Sequence, residues 1–149
     1  MEKFSYKMQN ILDIKFKLEN QAKTSFANAV AKLEEEKQKL RMLRQKQAEY
    51  EEAYRQSLQN ALNIKELNLC LQGIDQTKAK IKAQILAIHV AEKNVEAARQ
   101  RLQEVMQERK THEKLKEYAF DEYIKEFNAA ESKEIDELVS YTYGKVAGE

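Results

Sequence analysis

The chain has no proline, no tryptophan, three glycines, one cysteine and no apolar run approaching a membrane span. Each shortage excludes something. Strand ends and tight turns need glycine, proline, asparagine and aspartate for special backbone angles, and too few are present to build a sheet. Cys70 has no second cysteine to pair with, which fits a reducing cytoplasm. The N-terminal MEKFSYKMQN lacks the apolar core of a signal peptide. Three glycines cannot form a phosphate-cradling loop, and neither G-x-x-x-x-G-K-[ST] nor G-x-G-x-x-G occurs.

What fills the chain is alanine, leucine, lysine, glutamate, glutamine and arginine, the residues of long helices. Charged residues make up 34% and hydrophobic residues 42%, too apolar for a disordered chain. The formal net charge of +1 gives no global field toward nucleic acid or membrane. The charge is nonetheless polarised. Residues 2–46 hold eleven Lys/Arg against six Asp/Glu, whereas residues 113–139 hold four against nine.

Periodicity supplies the fold. Leu67, Ile74, Ile81, Ile88, Val95 and Leu102 are six consecutive apolar members of one seven-residue series, the mark of a helical seam. A mixed companion series sets Leu71, Ile85, Met106, Phe120 and Phe127 among Lys78, Glu92, Arg99 and Glu113, whose long stems can cover apolar surface. Toward the N-terminus, Leu12, Phe26, Leu33, Leu40 and Tyr54 form a looser series interrupted by Glu19 and Gln47. Met8, Ala22, Ala29, Leu43 and Tyr50 accompany it. Between the arms, Asn63 and Glu66 have the spacing of a capping box, and Asn60 suits a helix end.

The expected fold is all-α: an antiparallel two-helix coiled-coil hairpin with a longer, overhanging C-terminal helix, forming one domain over residues 1–149. Helix one is expected over about 4–58, the bend over 59–63 and helix two over about 64–141, with a frayed end beyond. An uninterrupted helix is the alternative, since neither glycine nor proline enforces the bend. Folding near residue 61 sets Phe4 beside Tyr118, with helix one roughly 80 Å long and helix two over about 100 Å. The acidic tail with Phe120, Tyr123, Phe127, Ile135 and Leu138 then outruns its partner, and an unpaired helical stripe calls for another protein.

Catalytic patterns fail in turn. THEKLK begins like a zinc-protease helix, but Lys116 stands where the second histidine belongs. His89 and His112 lie apart and outside any Glu-x-x-His pair, so they read as helix-flank residues. Cys70 has no activating neighbour. Asp121/Glu122 and Asp136/Glu137 read as solvated faces. The basic run Lys37, Lys39, Arg41, Arg44 and Lys46 lies between Glu34–Glu36 and Glu49, Glu51 and Glu52, which would repel nucleic acid. No catalytic residue, cofactor or metal is expected.

The stretches KFSYKMQNILDIKFKLENQAKTSFANAVAKLEEEKQKL and QERKTHEKLKEYAFDEYIKEFNAAESKEIDELVSYTYG resemble the two arms of the FliJ family of the bacterial flagellar export apparatus. The non-heptad runs LDIK, ERKTHEKL and ESKEIDEL carry most of the resemblance. It implies a non-enzymatic coiled coil similar to the central stalk of rotary ATPases. Such a protein sits in the flagellar export ATPase ring and promotes ring assembly and ATP hydrolysis. It also contacts the membrane-embedded export gate, exchanges with substrate chaperones, and lies in the cytoplasm at the inner face of the membrane. Ring-binding candidates are then Phe120, Tyr123, Phe127, Ile135 and Leu138, with Glu126, Lys133 and Glu134 on the same helix. Gate-side candidates are Leu43, Tyr50, Tyr54 and Leu71. A generic scaffold or tether, and the equivalent stalk of an injectisome, are the alternatives.

Overall fold

The computed structural model describes residues 2–59 and 63–147, apart from the side chains of 146 and 147. Among the described residues the chain forms two helices, α1 (Gln9–Gln59) and α2 (Ile64–Ala147), and no strand. The all-α, two-helix fold expected from the periodicity is the one observed. The chain divides into two compact units, one of Met1–Asn20 with Glu104–Glu149, the other of Gln21–Gln103.

In the second unit α1 and α2 make an antiparallel pair. Gln84 reaches Glu36, and the ring of Tyr50 lies against Gly73. The covered positions of α1 recur at alternating steps of three and four. Ala22 and Glu36 are buried, and Phe26, Ala29, Leu33, Leu40, Leu43, Gln47, Tyr50 and Tyr54 are half-buried. Gln47, an interruption by composition, is therefore a seam member. On α2 all six residues of the predicted series from Leu67 to Leu102 are covered, with Ile74 and Ile88 buried.

The companion series differs from expectation. Leu71, Lys78, Glu92 and Arg99 are exposed, whereas Ile85, Met106 and Glu113 are half-buried as the series requires. The covered partners lie one residue earlier, at Cys70, Thr77, Gln84, Ala91 and Ala98. These are small or polar residues, so hydropathy pointed to the larger neighbours. Small side chains let two helices approach closely, and the large residues of the facing series fill the seam. Thr77 shows how a polar residue is tolerated here: its Oγ1 donates to the Gly73 carbonyl at 2.6 Å.

In the first unit the same alternation continues through Leu12, Lys15 and Glu19 on α1. On α2 it runs through Val105, Arg109, His112, Lys116, Ala119 and Tyr123. Leu12 and Val105 are each only 2% exposed. Burying such side chains contributes about 1.5–3 kcal/mol apiece. Met8 is exposed, outside the seam where its spacing had placed it.

The ends also depart from expectation. Residues 4–8 precede the helix, and the Gln9 N–H bonds to the Tyr6 carbonyl as α1 begins. α2 continues to Ala147, through Gly144, where fraying was expected from residue 141. One glycine costs a helix about 1 kcal/mol and does not by itself end it. At the start of α2 the Asn63 Oδ1 accepts the Lys65 N–H at 3.1 Å, and the Asn63 carbonyl accepts from Leu67 N–H. Asn63 is thus the N-cap; among the described residues Glu66 does not complete the box. The expected bend, with Asn60, falls largely on residues 60–62, outside the described residues.

Gly73 is buried because Tyr50 occupies the space where a side chain would start: a Cβ there would lie 2.5 Å from the ring. Gly73→Ala gains helix propensity of about 1 kcal/mol but must expel the ring. Thermal unfolding should show a net loss of about 1 kcal/mol in the parent, and a gain of about that size in a Tyr50→Ala background. Equal gains in both backgrounds would mean that Tyr50 does not occupy the helix surface at 73.

Candidate functional site

The ring-binding candidates lie in the unit formed by Met1–Asn20 and Glu104–Glu149, at and beyond the place where α2 loses its partner. Phe4 packs edge-on against Phe120, with centroids 5.1 Å apart, and tilts against Tyr123 at 5.4 Å. The Tyr123 Oη donates to the Glu2 carbonyl at 2.6 Å. The expected partner of Phe4, Tyr118, is instead exposed. The cause is register and phase: Lys15 and Glu19 meet Glu108 and Arg109, one and six residues beyond the places that folding near residue 61 sets opposite them, and Tyr118 falls between the covered positions Lys116, Ala119 and Tyr123. Phe4, against Phe120 and Tyr123, follows the same register.

Phe120 and Tyr123 are accordingly anchors for the chain's own N-terminal segment as well as candidates for a partner. The overhang begins after Tyr123, and every residue from 124 to 145 is exposed. Phe127 stays near Tyr123, with ring centroids 6.3 Å apart. Glu126 rims an open hollow of about 900 Å³ between the N-terminal segment and α2. Lys133, Glu134, Ile135 and Leu138 are solvent-facing, Leu138 at 65% exposure. The structure thus groups Phe120, Tyr123 and Phe127 and leaves the other candidates strung along the free helix. Ile124 and Val139 are further exposed apolar residues of the same tail; Ile124 follows Phe120 by four residues and precedes Phe127 by three, a helical spacing that marks it in the sequence.

Below this end, charge is built into the seam. The Arg109 Nε donates to Glu19 at 2.5 Å and its Nη1 to Glu113 at 2.8 Å, while its guanidinium lies 5.8 Å from the Phe16 ring centre. Glu19 first and Glu113 second raise the guanidinium's pKa further, by hydrogen bonding to its charged form. Glu19, which interrupted the hydrophobic series, is buried as one half of this pair. Lys15 meets Glu108 at 3.0 Å. His112 sits among these residues with a buried Nδ1 that has no hydrogen-bond partner among the described residues.

Among the gate-side candidates, in the other unit, Leu43, Tyr50 and Tyr54 are half-buried seam residues. Leu71 alone of the four is exposed. Nearby lies a groove lined by Met42, Leu43 and Ala83 and flanked by Lys39, Lys46 and Lys80, a combination the hydrophobic spacing did not signal. Among the described residues no cluster of His, Cys, Asp and Glu could hold a metal, and no helix is long and apolar enough to cross a membrane.

The flagellar FliJ protein family matches residues 4–148. This chain belongs to that family. The match takes in both arms and the whole tail, and membership ties the chain to the flagellar export apparatus and to association with its components. A solved structure described as that of a YscO homolog, CT670, from Chlamydia trachomatis has the same fold, with a TM-score of 0.78 over 99% of each chain at 20% identity. Among curated proteins no match is found.

The Glu36–Gln84 layer gives a pH test of the seam. Hydrogen bonds from Gln84 and then Lys32 lower the Glu36 carboxyl to about 2. A carboxyl lowered on folding contributes stability above its unfolded value, and that contribution is lost as pH falls through the folded value. Melting temperatures should therefore show parent and Glu36→Gln differing most near neutrality and converging between about pH 4.5 and pH 2. A difference constant across that window would contradict the role assigned to Glu36.

Proposed function

We propose that this FliJ-family protein is the coiled-coil stalk of the flagellar export ATPase. It works as one coiled-coil module and hydrolyses no ATP itself. Its tail, from Phe120 onward, enters the ATPase ring and promotes ring assembly and turnover. Phe120, Tyr123 and Phe127 form the root of that contact, and Glu126, Lys133, Glu134, Ile135 and Leu138 its length. Leu43, Tyr50, Tyr54 and Leu71 face the membrane-embedded export gate, Leu71 being the most accessible of them. Substrate chaperones exchange on the same protein, which lies in the cytoplasm against the inner face of the membrane at the flagellar base.

One observation carries the reading. In the unit that holds the tail, the seam runs from Val105 to Tyr123 and then stops, yet α2 continues to Ala147 with the apolar residues from 124 to 145 exposed. A helix that outlasts its partner while keeping Phe127, Ile135 and Leu138 is built to meet another surface. A rod gripped by a ring biases ring states only through contacts that differ between them, so the mechanism is differential binding and involves no bond chemistry. The YscO-like fold supports a second reading, the equivalent stalk of an injectisome.

ATP turnover by the flagellar export ATPase, measured against added protein, tests the proposal. The full chain should stimulate turnover and saturate near one copy per ring. A chain ending at Tyr123 should return turnover to the rate of the ATPase alone while circular dichroism shows the paired helices intact. Undiminished stimulation by the shortened chain would overturn the assignment of the tail, and stimulation confined to an injectisome ATPase would favour the second reading.

A further inference from the structure

The free part of α2 is not a continuation of the intramolecular seam. Carried past Tyr123 in the same phase, the seam positions become Glu126, Ala130, Lys133 and Glu137, which cannot form an apolar contact. The tail's apolar residues follow another line, Phe120, Ile124, Phe127, Ile135 and Leu138, rotated about a third of a turn around the helix at 3.6 residues per turn. A partner on this line approaches from the side of the coiled coil and does not extend α1.

The same line leads back into a preformed groove of this unit. Glu113, Lys116, Glu117 and Phe120 of α2 line one wall, and Phe4, Leu12 and Phe16 contribute from the N-terminal side, enclosing about 560 Å³ of open space. Stripe and groove share one face of α2 and meet at Phe120. Its charge is mainly acidic, with Lys116 between Glu113 and Glu117 in the groove and acids alone along the stripe. Glu131 lies within the stripe and Glu134 along one edge, and neither has an ion-pair partner among the described residues. A second copy's tail would bring the same acids against them.

We infer that this groove and stripe together bind one amphipathic helix flanked by lysine or arginine, carried by the ATPase ring. Apolar residues at three- and four-residue spacing seat on Phe16, Phe120, Ile124 and Phe127, and the cationic flanks lie over Glu131 and Glu134. The inference rests on the reading above only in naming the ring as the bearer of that helix.

Two synthetic amphipathic helices with identical apolar positions, one flanked by lysines and one by glutamates, should be titrated against the full-length chain. The lysine peptide should bind about tenfold tighter or better, weaken with salt, and shift the NMR signals of Phe16, Ile124 and Phe127. Phe127→Ser/Ile135→Ser should lose that binding, whereas Ala129→Ser, on the far side of the helix, should keep it. Equal binding of both peptides, no binding of either, or shifts centred on Ala130 and Lys133 would overturn the proposal. So would a concentration-dependent dimer abolished by the double substitution, which would put a second copy on the stripe. Turnover with the export ATPase separates this from the functional reading. If the lysine peptide binds and the chain fails to stimulate the ATPase, the stalk reading fails and the peptide site stands. If the double variant loses the peptide yet stimulates fully, the site is not the ring's and the inference fails.

Discussion

Pairing along an alternating three–four seam is the constraint on which each unit of this structure depends. A long helix exposes more backbone order than its own propensity sustains in water, and most of its stability must come from covering one face. Here the covered face is thin. It contains a few fully buried residues, among them Leu12 and Val105, and several charged or polar members. The polar members do what a uniform apolar stripe cannot. Slipping the helices by one turn would leave Glu19 without Arg109, or Glu36 without Gln84, and a buried carboxylate without its donors is strongly unfavourable. Register is therefore held by paired charges and amides, while the apolar residues hold the helices together.

That division explains which parts were legible in advance. The series from Leu67 to Leu102 was readable because each seventh residue is large and apolar. Its companion was not, because Cys70, Thr77, Gln84 and Ala91 are small or polar and cover their seam positions without looking hydrophobic. Leu71, the larger neighbour, has the hydropathy of a seam residue and is exposed. Glu19 and Gln47 looked like interruptions for the same reason; hydropathy records what a side chain prefers alone, and a buried carboxylate facing an arginine is a property of two helices. The Asn63 cap was legible because its chemistry is local. The position of Phe4 was not, since the register of the two helices is set by pairs such as Lys15–Glu108 and Glu19–Arg109, which no single-helix pattern reveals.

For the candidate site, the existence and rough position of the overhang followed from arm lengths, but its inner boundary did not. Phe120 and Tyr123 serve the chain's own N-terminal segment, and the free surface starts just beyond them. Hydrophobic spacing picked out Phe127, Ile135 and Leu138 without showing that they lie off the seam's phase. That distinction needs the position where the seam ends, and only the contacts of Tyr123 fix it. The gate-side residues are the converse case: Leu43, Tyr50 and Tyr54 have the spacing of packing residues and are half-buried in the seam.

The exposed tail has a thermodynamic consequence of its own. Residues 124–145 form about 33 Å of helix with no covered face. Such a segment escapes the nucleation cost of an isolated helix only because the paired part of α2 is already wound, and each further residue simply propagates it. Its order is borrowed from the coil behind Tyr123 and thins toward its end. A surface that grips the far end therefore meets a less rigid helix than one that grips the root, and tightening it there costs conformational entropy that weakens the grip. The tail thus carries a gradient of stiffness along its length, firm where aromatic rings crowd and compliant where Ile135 and Leu138 stand alone.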